Sequence, residues 1–143
     1  MSTARAKTAA VCIPGEGVLV VGGAFIYQWK IWRLFYRGTE EQRFSNKAKM
    51  LVGNINGKGE QKWYWLNLPS MINERLKPGI AYFNRYVFVA GGNTGGHIDV
   101  ERMQYPTGAN TKPQWTIVSL MQFPPFNPYS LVIYNHRMFL ICG

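Results

Sequence analysis

Short apolar runs, each stopped at or beside glycine, recur along the chain. Val18-Leu19-Val20-Val21 meets Gly22-Gly23, Val87-Phe88-Val89-Ala90 meets Gly91-Gly92, and Met138-Phe139-Leu140-Ile141 meets Cys142-Gly143. Runs of this length, rich in β-branched and aromatic side chains and bounded by turn formers, predict strands. Upstream of the second and third runs, Ile80-Ala81-Tyr82-Phe83-Asn84-Arg85 matches Leu131-Val132-Ile133-Tyr134-Asn135-His136, and Val11-Cys12-Ile13-Pro14-Gly15-Glu16 is a weaker copy. Downstream, Ile31-Trp32-Arg33-Leu34-Phe35-Tyr36 and Val100-Glu101-Arg102-Met103-Gln104-Tyr105 follow their glycine pairs at the same spacing. Trp65-x-x-Leu68-x-x-Met71 returns 50 positions later as Trp115-x-x-Val118-x-x-Met121.

Self-similarity at a fixed period marks a repeat architecture, because each unit buries its apolar face only against a neighbour. The elements and their order resemble the kelch repeat. In that family a Gly-Gly pair closes a strand, a Val-Glu-x-x-x-Tyr strand follows, then Trp-x-x-Leu-x-x-Met and often an arginine. Arg75 stands at the arginine position, and Pro125 stands there in the next copy. The matching positions are Gly22, Gly23, Trp65, Met71, Gly91, Gly92, Trp115, Met121 and Gly143.

The resemblance implies an all-β fold: a partial kelch β-propeller of about two and a half four-stranded antiparallel blades. Blade one then takes residues 10–68, with strands near 10–14, 18–23, 31–36 and 63–68 and a loop insertion at 37–62. Blade two takes 80–120, with strands near 80–84, 86–92, 99–105 and 115–120. A half blade covers 130–143. Because the sequence stops inside a repeat signature, it reads as a fragment of a longer propeller, and self-association is expected if the chain is whole at this length. The 37–62 segment is expected to be a solvated loop projecting from the end opposite the binding loops.

Composition narrows the class. The 143 residues are 47% apolar and 15% aromatic, which excludes a disordered chain. The formal charge of +9 is spread along the chain without a dense basic tract, so a basic soluble surface is expected rather than nucleic-acid binding. No apolar stretch is long enough for a spanning helix, and the first residues lack the apolar core of a secretory signal, so the expectations are no membrane and a cytoplasmic location. Two cysteines make no disulfide framework.

Candidate chemistry is sparse. His97 and His136 have no carboxylate or cysteine at metal-ligand spacing, so neither a metal nor a cofactor is expected. Seven carboxylates leave little for acid–base work, and no nucleophile or phosphate-loop motif is present. The chain is therefore read as a protein-binding module and not an enzyme. In kelch-like proteins with a BTB domain, the propeller selects substrates for a cullin-based ubiquitin ligase; the resemblance implies that role here, with cullin reached through a BTB domain not contained in this sequence. Alternatives are an actin-binding kelch scaffold and, in another class, a kelch-fold oxidase or sugar epimerase.

Propeller loops that join strand two to three and strand four to the next blade open at one end. That groups 24–30, 70–79, 93–98 and 121–129. The residues expected to meet a substrate peptide or actin there are Tyr27, Trp29, Lys30, Asn73, Arg75, Asn93, His97, Phe126 and Asn127. Arg75 and Lys30 would face acidic groups, and Tyr27, Trp29 and Phe126 would be aromatic anchors.

Overall fold

The computed structural model describes residues 5–25, 43–55, 57–92, 98–108, 110–121 and 129–142. It is all-β, and its main elements are antiparallel sheets. The first sheet runs β2 (Ala9–Ile13), β3 (Gly17–Val21), β6 (Ala48–Ile55) and β7 (Gln61–Leu68), in that order. The second runs β8 (Gly79–Phe83), β9 (Tyr86–Ala90), β10 (Ile98–Gln104) and β11 (Trp115–Met121). A third sheet is the hairpin of β12 (Tyr129–Tyr134) and β13 (Arg137–Cys142). A small sheet of β1 (Arg5–Ala6), β4 (Ala24–Phe25) and β5 (Arg43–Phe44) completes the set. Among the described residues no helix is long and apolar enough to cross a membrane.

Local chemistry sets the turns. β8 and β9 are joined by Asn84-Arg85 with φ of 49° and 64°, and β12 and β13 by Asn135-His136 with φ of 48° and 59°. Two consecutive positive φ values make a two-residue turn whose twist matches the strands it joins, and asparagine tolerates the left-handed region best among residues with a side chain. His136 is thereby a turn residue, its ring edge-on to Phe83 at 5.7 Å. In the first sheet Pro14-Gly15-Glu16 makes the equivalent turn, with Gly15 at φ 79°.

The first strands of successive sheets lie side by side, β2 against β8 and β8 against β12. Gly79 marks how close that approach is: a Cβ there would stand 3.0 Å from the Leu131 backbone nitrogen. Between the first two sheets lies the main core, with Ile13, Leu19, Val21, Ala48 and Met50 facing Met71, Val87, Val89, Met103 and Trp115. A smaller core of Ala81, Ala90, Val100 and Leu131 lies between the second and third. The second sheet is apolar on both faces because Val87 and Val89 point one way while Phe88 and Ala90 point the other.

Two expectations about the first sheet are corrected. Its third strand is Ala48–Ile55, paired Val18 with Leu51 and Val21 with Ala48, so that place is not held by 31–36, which lies outside the described residues. The 37–62 segment is accordingly not one solvated loop: it contains β5, β6 and the start of β7. Alternating Ala48 and Met50 supply the buried face that a third strand needs here. β6 and β7 pair down to Ile55 with Gln61, and the turn between them includes Gly57, Lys58 and Gly59.

Candidate partner-binding end

β3 ends, β6 begins, β7 ends and β8 begins at one edge of the first sheet, because each antiparallel strand reverses the last. Backbone hydrogen bonds tie these ends into one layer. Gly22 N–H donates to the Lys47 carbonyl at 3.1 Å, Gly23 N–H to the Arg75 carbonyl at 2.8 Å, Ser45 N–H to the Gly23 carbonyl at 2.9 Å, and Met71 N–H to the Asn46 carbonyl at 2.8 Å. The glycine pairs are needed for this closeness. Gly92 has φ 73° and a Cβ there would lie 2.4 Å from the Leu76 carbonyl oxygen.

Arg75 lies at the centre of the layer with 0% exposure. Its Nη2 donates to Asp99 Oδ1 at 2.6 Å and Glu101 Oε1 at 2.8 Å, and its Nη1 donates to the Gly91 carbonyl at 2.7 Å. Both carboxylates come from β10 and are also fully buried. Glu101 further accepts the backbone N–H groups of Ile72 and Asn73 at 2.7 Å and 3.0 Å. Asn73 Nδ2 donates to Asp99 Oδ2. The expectation that Arg75 meets an outside acidic partner is corrected: its acidic partners are inside the chain, and they staple the 69–78 connection to the second sheet. Desolvating a guanidinium is tolerated only with such partners. Asn73 is tied into the same cluster.

Trp115 is buried, with 7% exposure, and its Nε1–H donates to the Pro69 carbonyl at 2.9 Å. Trp65 is only half-buried, and Met71 is in the main core. Tyr27, Trp29, Lys30, Asn93, His97, Phe126, Asn127 and Gly143 lie outside the described residues; of Met121, the end of β11, only the backbone is described.

The same edge carries a cavity of about 370 Å³, lined by Arg5, Phe25, Lys47, Ala48, Lys49, Asn67, Leu68 and Ser70. Among the described residues that line it, three are cationic and none is acidic. Arg5 Nη1 donates to the Gly22 carbonyl at 3.0 Å and the Lys47 carbonyl at 3.1 Å, and partial burial lowers the Arg5 pKa below its ordinary value. Lys47 Nζ donates to Ser70 Oγ at 3.3 Å. The sequence reading missed Lys47 and Lys49 because β6 was not recognised as a strand, and it assigned no role to Arg5, which lies on β1. Asp99 and Glu101 were missed as partners of Arg75 although their alternation on one strand was a readable signal. Among the described residues no group of three metal-ligating side chains is present.

Comparison with protein-family models and with curated protein sequences finds no match to the chain.

Proposed function

We propose that this chain is part of a kelch-type β-propeller and works as a protein-binding module, not as a catalyst. One observation supports the reading above the others: the first two sheets repeat each other position by position. The cross-strand register runs Cys12–Val18–Leu51–Trp65 in the first sheet and Tyr82–Val87–Met103–Trp115 in the second. Repeated four-stranded units whose first strands adjoin are the layout of propeller blades. A rigid set of strands presents the connections between them as a surface for partners, and the described residues at the Arg75 end serve packing and ion pairing within the chain. In its finer form the proposal is substrate recognition for a cullin-based ubiquitin ligase, the role that the kelch-like resemblance implies.

Proximity labelling in cells tests it. The parent chain is compared with a loop-end variant, Lys47→Ala with Ser70→Ala, and with a turn-end control, Lys58→Ala with Glu60→Ala. Proteins labelled by the parent and the control but lost with the loop-end variant are expected, and stabilisation of one of them when the chain is depleted supports the ligase role. An identical labelled set for all three chains would end the proposal.

A further inference from the structure

The second sheet packs on both of its sides, and so shows what each face of a sheet meets. Its backward face, with Val87 and Met103, lies on the first sheet; its forward face, with Ala81 and Ala90, lies on the third. The three sheets match in register. Val11–Leu19, Ala81–Phe88 and Val132–Phe139 are one pair of places, and Ala9–Val21, Gly79–Ala90 and Ser130–Ile141 are the next. Val20–Lys49 likewise corresponds to Val89–Glu101, and Lys47 accordingly to Asp99. Both internal contacts therefore join the forward face of one sheet to the backward face of the next, and they bury Leu19, Val21, Ala81 and Ala90. At the same places on the third sheet, Val132, Phe139 and Ile141 are 43%, 45% and 53% exposed. On the backward face of the first sheet, Trp63 is 57% exposed, Cys12 is exposed, and Val18, Leu51 and Trp65 are half-buried.

We propose that these two faces join copies of this chain head to tail, the forward face of the third sheet in one copy seating on the backward face of the first sheet in another. The internal contacts set the occupant, because the chain forms this pairing twice within itself, each time with first strands side by side. Such closeness needs a small residue at one place. Gly79 holds it in the second sheet, where a Cβ would stand 3.0 Å from the Leu131 backbone nitrogen, and its register equivalents are Ala9 and Ser130. Ser130 is exposed, and so offers the same close approach to a further first strand. Both faces are apolar: Val132, Phe139 and Ile141 on one, Cys12, Val18, Leu51 and the two tryptophans on the other. Removing them together from water favours the contact. A forward-on-backward contact is heterologous and either closes or repeats. Three stacked sheets from each of two copies make six, within the about four to eight that close a ring, so a dimer sealed by two such contacts is expected. This contact rests on the blade equivalence of the proposed function and needs no outside partner.

Sedimentation velocity tests it, in about 150 mM salt so that the formal charge of +9 is screened. The parent chain is expected to pass from monomer to dimer as its concentration is raised roughly a hundredfold from about 1 µM. Two variants then separate the faces: Phe139→Lys with Ile141→Lys on the forward face, and Cys12→Glu with Trp63→Glu on the backward face. All four side chains are exposed, so each variant is expected to keep the parent's circular dichroism spectrum. Each variant alone is expected to stay monomeric. Their equimolar mixture is expected to dimerise again, because one intact forward face then meets one intact backward face. A parent that stays monomeric throughout, a backward-face variant that dimerises like the parent, or a mixture that stays monomeric would overturn the head-to-tail contact. Each of those results leaves the protein-binding reading standing, since the labelling comparison tests that separately.

Discussion

Cys12–Val18–Leu51–Trp65 and Tyr82–Val87–Met103–Trp115 are the same four places on two sheets, and they meet different surroundings. In the second sheet this face packs against the first, so Val87 and Met103 are fully buried and Trp115 nearly so, its indole N–H bonded to the Pro69 carbonyl. In the first sheet the face is open: Cys12 is exposed and Val18, Leu51 and Trp65 are half-buried. Strand pattern and register are alike, so what a side chain contributes is set by the neighbouring layer. The sockets at the sheet edge show the same contrast in charge. Around Arg75 two carboxylates close the site; beside Arg5 the described residues lining the cavity include Lys47 and Lys49.

That contrast can be broken by substitution. The largest effect is expected at Arg75, where Arg75→Leu leaves Asp99 and Glu101 buried without their cation and costs about 3–5 kcal/mol of unfolding free energy in urea titration. Arg5→Leu, at the half-open socket, is expected to cost well under half as much; equal losses would show that the two sockets are closed alike. Next come the tryptophans. Trp115→Ala removes a core ring and its hydrogen bond at a cost of about 3–5 kcal/mol, while Trp65→Ala costs about 1 kcal/mol. If Trp65 proved as costly as Trp115, the open face would have to be covered in solution.

Glycines sharpen the comparison between the two ends of the strands. Gly92→Ala combines a left-handed φ with a clash against the Leu76 carbonyl and is expected to cost about 1–3 kcal/mol or more. Gly15→Ala, at φ 79° with open space around it, carries only the conformational penalty of about 1 kcal/mol. A smaller effect of about 1 kcal/mol is expected for Asn84→Ala in the two-residue turn, read as a fall in Tm of a few degrees by thermal melt.

Much of this was legible along the chain. Gly22-Gly23 and Gly91-Gly92 did mark the ends of second strands, Asn84-Arg85 and Asn135-His136 did sit between paired strands, and the order of four strands from Gly79 to Met121 follows the repeat closely. The first sheet was harder. Ile31–Tyr36 repeats the spacing of Val100–Tyr105, and that coincidence masked Ala48–Ile55, whose Asn56-Gly57 neighbour is itself a strong hairpin signal. Arg75 was legible as a repeat position but not as a buried one, since its role depends on two carboxylates 24 and 26 residues away.

The sequence alone determined the strands' chemistry: alternating apolar positions, glycines where the backbone turns left-handed, asparagines in the tight turns. These are local preferences, set by sterics within a few residues. Tertiary structure alone decided which of two equivalent tryptophans is buried, that Arg75 points inward, and that Lys47 and Lys49 stand where Asp99 and Glu101 stand one sheet away. Burial and charge pairing belong to the space between layers, and that space exists only once the sheets have packed.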